Sequence, residues 1–239
     1  MKHKHRFLIF YFLTIALVIS LAHYGSETVT TIAQSKPVIR KHTIIIDAGH
    51  GGEDGGATSC SGILESAFNL EIALRLDDLM HLIGYNTKMI RTTDISVYTE
   101  GTTIAAKKVS DLKQRVKIVN ETEGALLVSI HQNTFSDSRY SGAQVFYNKA
   151  DGASNLASAM QTLFTACLNQ GSHRKSKPAG GVYLMEHIEP QGVLVECGFL
   201  SNPEEEAKLR SKDYQQKICC VIASSVSEYF RALDGRTNG

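Results

Sequence analysis

Runs of β-branched and aliphatic residues recur along the chain, and the stretches between them place apolar residues three or four positions apart. The runs are Thr43 to Asp47, Asn86 to Arg91, Ala125 to His131, Gly142 to Tyr147, Val182 to Met185 and Val193 to Glu196. Bounded by turn residues, they predict strands, and an uninterrupted run such as Thr43 to Asp47 suits a strand covered on both faces, as in a parallel sheet. Phe68, Ile72, Leu76, Leu79 and Leu82 keep to one face of a predicted helix, and Leu112, Val116 and Val119 do so in a second. Further helices are predicted near Ala153 to Leu168, Pro203 to Arg210 and Tyr214 to Leu233. The helix after Pro203 carries a start signal at several levels: Ser201 and Asn202 as caps, proline near the first position, and Glu204, Glu205 and Glu206 in the first turn. That acidic run reads as macrodipole chemistry rather than a metal site. Strands alternating with helices predict a layered α/β domain.

Three of the predicted strands end in chemistry. Thr43-Ile-Ile-Ile-Asp47 runs into Ala48-Gly-His-Gly-Gly52, Ala125-Leu-Leu-Val-Ser-Ile runs into His131, and Val193-Leu-Val runs into Glu196. Ligands of open α/β sheets sit beyond the carboxyl ends of the strands. If these strands are parallel neighbours, His50, His131 and Glu196 converge on one edge. Two imidazoles and a carboxylate are the material of a zinc site, and Glu65, just before the first amphipathic helix, is the remaining candidate ligand. Catalytic zinc keeps three protein ligands and an open position for water, so His50, Glu65 and His131 fit as ligands. Glu196 then fits as the catalytic carboxylate that takes up a proton and passes it to a leaving amine. Asp47 is expected to orient a ligand histidine through its other ring nitrogen. Gly49, Gly51 and Gly52 are expected to turn the backbone sharply and leave room for a bulky substrate beside His50. A phosphate-cradling loop is the competing reading. It lacks the third glycine of GxGxxG and the GK[ST] of a P-loop, and Glu53 and Asp54 would repel phosphate. Of the other histidines, His81 belongs to an exposed helix end and His173 to a basic loop, while His187 is placed to line a cleft.

The N-terminus changes the setting of this chemistry. Lys2, Lys4 and Arg6 precede an uncharged apolar run from Phe7 to Ala22, about 24 Å long as a helix, which suits a signal-peptide core or an uncleaved anchor with its N-terminus inside. Residues 1–25 are therefore expected to be a signal peptide or membrane anchor, 26–41 a polar linker and 42–235 the catalytic domain, exported to the outside of the cytoplasmic membrane. Within 239 residues, 43% hydrophobic and 21% charged, one core of ordinary globular proportions is expected. A net charge of +1 and the lack of a basic stripe give no case for nucleic acid as a partner. Five cysteines, two of them adjacent at Cys219 and Cys220, do not suit a disulfide framework and read as small buried side chains.

The segments IIIDAGHGGEDGGA, ESAFNLEIALRL, RTTD, DLKQRVKIVN, LLVSIHQN, SGAQVFY and VLVECGFLSNPEE together resemble the zinc-dependent N-acetylmuramoyl-L-alanine amidases, cell-wall hydrolases of the type-3 amidase fold. The resemblance runs from about Thr43 to Phe230. It implies a single α/β domain with a mostly parallel twisted central sheet flanked by helices, one zinc ion held by His50, Glu65 and His131, and Glu196 as the catalytic carboxylate. The single N-terminal apolar segment and DLKQRVKIVN, SGAQVFY and GVYLME are similar to the germination-specific branch found in spore formers. That likeness implies removal of stem peptides from cortex muramic acid before muramic-lactam formation, in the space around the forespore. The sequence departs from the family pattern at Ala48, where a proline is usual, and at Ser66, where the ligand glutamate is usually followed by lysine. The partners implied are peptidoglycan stems and the membrane through the N-terminal segment, with an accessory protein for activity among the candidates. Two other classes compete: a zinc carboxypeptidase or polysaccharide deacetylase, separable by its products, and a non-enzymatic glycan-binding protein, separable by an activity assay with added zinc.

Overall fold

The computed structural model describes Ser20 and residues 42–237, the side chains of 236 and 237 excepted. Apart from Ser20, the predicted export segment and linker lie outside these residues. Among the described residues no helix is long and apolar enough to cross a membrane. The chain order is β1 (Thr43–Ala48), α1 (Glu65–Leu82), β2 (Asn86–Met89), α2 (Ile104–Asn120), β3 (Ala125–Asn133), β4 (Gln144–Tyr147), α3 (Ala153–Cys167), β5 (Lys177–Pro178), α4 (Tyr183–His187), β6 (Gln191–Phe199), α5 (Pro203–Leu209) and α6 (Lys212–Thr237). The strands form one sheet in the order β2-β1-β3-β6-β4-β5. β2, β1, β3 and β6 are parallel neighbours, β4 runs antiparallel to β6, and β5 is parallel to β4. This is the single, mostly parallel α/β domain that the sequence implies.

Period-two alternation assigns each strand residue to one of two cores. Ile44 and Ile46, Leu126 and Val128, and Val193 and Val195 face a large core closed by Phe68, Ile72 and Leu76 of α1, Leu156, Met160 and Phe164 of α3, and Ile218, Ile222, Val226 and Phe230 of α6. Ile45, Leu127 and Leu194 face a smaller core under Val119 of α2 and Leu184 and Met185 of α4. Because both faces are covered, the central strands read as continuous apolar runs. The registers align the strand ends: Asp47 lies opposite Ser129, and His131 opposite Glu196.

Several expectations need correction. The run Val182 to Met185 is not a strand but leads into α4, because Leu184, Met185 and Ile188 bury together as one side of a helical turn would. The short outer strand is β5, an exposed Lys-Pro pair with no hydrophobic signature, held by backbone pairing to β4. On α1 the buried stripe is Phe68, Ile72, Leu76 and Met80, and Leu82 is 82% exposed. On α2 the buried stripe is Asp111, Arg115 and Val119, while Leu112 and Val116 are only half-buried. The cap of α5 is Asn202 alone, whose Oδ1 accepts from the Glu204 and Glu205 amides at 3.0 and 3.1 Å; Ser201 instead accepts from the Phe135 amide. All five cysteines are free, and Cys60, Cys167 and Cys220 are exposed rather than buried.

Candidate metal centre

At the carboxyl edge of β1 the chain turns through His50, Gly51 and Gly52, all with positive φ. His50, at φ 58°, is the one non-glycine residue with positive φ among those described. A left-handed histidine costs about 1–3 kcal/mol unless its surroundings hold it. Here they hold it firmly. Arg91 donates to the carbonyls of Ala48 (2.8 Å) and Gly49 (3.0 Å), and Arg115 donates to those of Ala48 (3.0 Å) and His50 (2.8 Å). Ser96 donates to the Gly51 carbonyl at 2.6 Å, and the Gly52 amide donates to Asp94 at 3.0 Å. Both guanidiniums are almost fully buried. Arg115 is neutralised by Asp111 at 2.7 Å and by Asp47 in a short ion pair.

Asp47 therefore serves the loop rather than a histidine. It accepts from Arg115 and, at 2.6 Å, from Ser129 Oγ. Burial pushes its carboxyl up, but Arg115, Ser129 and the nearby His131 outweigh burial and hold it below the usual carboxylate range. The carboxylate that orients a candidate ligand is Asp54, whose Oδ2 accepts from His50 Nδ1 at 2.9 Å and pairs with Lys108 Nζ at 3.1 Å. An ionised carboxylate only accepts, so Nδ1 carries the proton and Nε2 turns inward.

His50 Nε2 lies 3.3 Å from Glu65 Oε2, and His131 Nδ1 lies 3.0 Å from Glu65 Oε1. One nitrogen from each ring and one carboxylate oxygen lie within 4.8 Å of one another. The imidazoles meet edge to face, with centroids 5.0 Å apart. Glu65 is the first residue of α1 and is fixed on all sides. Its oxygens accept from the amides of Ala57 (3.0 Å) and Gln132 (3.2 Å) and from Asn69 Nδ2 (3.2 Å). Burial pushes its carboxyl up, but hydrogen bonds and charge from His131 and His50 hold it far below the usual range. Burial likewise pushes His50 down, and Glu65 with Asp54 raises it above its ordinary value. Two of the glycines are required by this packing. A Cβ on Gly49 would come within 2.2 Å of His131 Nε2, and one on Gly56, at φ +68°, would come within 2.6 Å of Glu65 Oε2. The space expected for a bulky substrate at Gly49 is thus taken by the chain's own histidine.

Glu196, opposite His131 in register, is half-buried, and its Oε2 is enclosed without a hydrogen-bond partner. Burial pushes its carboxyl up to about 7. The sequence-derived candidates His50, Glu65, His131 and Glu196 therefore meet at one edge. His187 does not join them: it sits in α4, ahead of the opposite end of β6, exposed and hydrogen-bonded to Tyr183. The supporting residues Arg91, Asp54, Asn69, Asp111 and Arg115 escaped the sequence reading. One signal for the last two was available, an Asp and Arg at i, i+4 on a helix whose Ile104 and Val109 are left exposed. Glu205 and Glu206, set aside as macrodipole charges, are buried. Glu205 accepts from the amides of Gly142 and Phe199 at 2.9 Å, and Glu206 accepts from Ser61 Oγ at 2.5 Å.

Two imidazoles and a carboxylate at the open edge of a covered sheet lie close enough to hold a metal ion, and the enclosed Oε2 of Glu196 lies on the neighbouring strand. The chain belongs to the N-acetylmuramoyl-L-alanine amidase family, whose sequence profile matches residues 44–228. The germination-specific N-acetylmuramoyl-L-alanine amidase of Bacillus subtilis (strain 168) is 38% identical over 189 residues, 78% of this chain and 79% of that protein. The amidase LytC of the same organism is 28% identical over 201 residues, 83% of this chain and 37% of that protein. Among solved structures, the CwlD amidase from Clostridioides difficile in complex with the GerS lipoprotein aligns with a TM-score of 0.76 at 36% identity, over 80% of this chain and 99% of that one.

Proposed function

We propose that this amidase holds one zinc ion with His50, Glu65 and His131 and uses Glu196 to hydrolyse the amide bond between N-acetylmuramic acid and L-alanine in peptidoglycan. The observation that carries the reading is the convergence of three ligand atoms within 4.8 Å beside the enclosed, unpartnered Oε2 of Glu196. Two neutral imidazoles and one carboxylate are a donor set of catalytic zinc sites, and one nitrogen of each ring already faces Glu65, where an ion would take the place of the protons now shared with that carboxylate, so the residues fit the ion. When bound, zinc supplies Lewis acidity, bringing the pKa of water to about 7 and polarising the amide carbonyl. Asp54 keeps the His50 proton on Nδ1, and the Glu65 amide contacts keep that carboxylate from swinging away. The Glu196 carboxylate takes the proton of the attacking water and returns it to the alanine nitrogen as the C–N bond breaks.

The likeness to a germination-specific relative supports a setting in the spore cortex, where stems are removed before muramic-lactam formation, in sporulation and germination. The basic N-terminus and the run Phe7 to Ala22 support export, with the catalytic domain 42–235 held outside the cytoplasmic membrane by residues 1–25 and the linker 26–41. A solved relative complexed with a lipoprotein supports an accessory partner. The test is digestion of purified peptidoglycan by zinc-loaded and chelated protein, followed by mass analysis. Stems with a free N-terminal alanine and glycan with intact lactyl groups are expected from the loaded protein only. Undiminished release after chelation would refute the zinc reading, and deacetylated glycan with intact stems would refute the amide assignment.

A further inference from the structure

Residues 134–143 join β3 to β4 along the edge that carries the candidate site. They present Phe135 and Tyr140, 52% and 47% exposed, in edge-to-face contact with centroids 4.7 Å apart. The pair is held rather than loose. The Phe135 amide donates to Ser201 Oγ at 3.1 Å, and Asn202 Nδ2 donates to the Tyr140 carbonyl at 3.3 Å. Tyr140 leans on the buried Phe199 ring at 6.2 Å, and that ring also carries the Arg174 guanidinium at 5.0 Å. Phe135 follows His131 by four positions, so their Cα atoms are at most about 14 Å apart. Its tether, Ser201, lies two residues past the end of the neighbouring strand β6, which carries Glu196.

We infer that Phe135 and Tyr140 form a glycan subsite, a platform for pyranose rings of the strand next to the muramic acid being processed; this rests on the amidase reading. A pyranose has an apolar C–H face and a rim of hydroxyls, so it takes a flat aromatic surface with polar groups around it. Each half-exposed ring offers such a face, inclined at 67° to the other, and polar groups lie beside it: Arg139, which pairs with Asp137 at 2.7 Å, and Asn202. The position favours a sugar: Phe135 lies at most about 14 Å from His131, where a glycan strand seated at the candidate site would continue.

The test uses full-length protein and fluorescently end-labelled, peptide-free strands of alternating N-acetylglucosamine and N-acetylmuramic acid. Phe135→Leu and Tyr140→Leu keep apolar volume and lose the flat face, so strand affinity is expected to fall about tenfold in each, while Tyr140→Phe keeps wild-type affinity. In turnover, the ratio of kcat/KM on long-strand peptidoglycan to that on a single-sugar muramyl peptide should fall about tenfold, through KM rather than kcat. Melting temperatures of the same preparations separate this from misfolding, and rescue by Tyr140→Phe excludes a role for the hydroxyl. Unchanged strand affinity in both leucine variants would overturn the inference, including the case where those variants lose a protein partner instead. Strand binding is read without turnover, so a wild-type protein that binds strands but releases no stems would refute the amidase reading and leave the platform standing.

Discussion

Asp54 holds His50 and Glu196 lies opposite His131, yet these two carboxylates have different surroundings. Glu196 Oε2 is enclosed with no donor, and burial raises its carboxyl to about 7, which suits the proton transfer proposed for it. Glu196→Gln keeps the shape and removes that capacity. Turnover should fall about 100- to 10,000-fold while zinc content and melting temperature stay near wild type; zinc lost together with activity would make Glu196 a ligand instead. Asp54 is more exposed and is held below the usual range: burial raises it, but hydrogen bonds and charge from His50 and Lys108 prevail. It fixes the His50 tautomer and does not titrate near neutrality. Asp54→Asn should therefore weaken zinc binding about 10- to 100-fold, read by competition with a chromogenic chelator, with kcat at saturating zinc changing less. An unchanged zinc affinity would show that the loop alone orients the ring.

At the scale of elements, α2 is unusual because its buried stripe leads with Asp111 and Arg115. The helix exists in this register to deliver one guanidinium to three groups under the histidine loop: Asp47 and the carbonyls of Ala48 and His50. Breaking a buried pair leaves an uncompensated charge, so Asp47→Asn should destabilise the fold at neutral pH by about 3 kcal/mol, measured by urea denaturation. The sign of its pH dependence follows from the depressed Asp47 carboxyl. Its stabilisation is complete above the unfolded-state value near 4 and is lost as pH falls through the lower folded value, so the gap between wild type and Asp47→Asn should close in acid. A gap constant from pH 7 to pH 2 would refute the ion-pair role.

The same helix marks where sequence reading succeeds and fails. β1, β3 and β6 were legible because two-sided burial writes itself as unbroken Ile, Val and Leu, and the strand-terminal His50, His131 and Glu196 follow from the same runs. Charged residues carry no such mark. Asp111, Arg115 and Arg91 look like solvated surface until tertiary contacts supply their partners. Asp47 was misread as a partner of histidine because chain order hides that Ser129 and Arg115 lie beside it. Val182 to Met185 misled because a short apolar run does not distinguish a strand from one turn of helix.

Across the whole molecule the candidate metal site joins β1, the start of α1 and β3, elements that meet only in the finished sheet. An ion bound there but not to the unfolded chain raises stability by mass action, by about 2.7 kcal/mol at a hundredfold excess over Kd. Chelated protein should melt several degrees lower than zinc-loaded protein, and His131→Ala should both lose the ion and abolish that difference. A melting temperature indifferent to zinc would place the ion elsewhere. The separation of the ligands along the chain has a consequence for order of assembly. Glu65 and His131 stand 66 residues apart, and the His131 ring packs against Gly49, next to His50. A growing or unfolded chain offers no preformed seat, so on the proposed metal reading a chain that folds after export would take its ion from the compartment in which it folds.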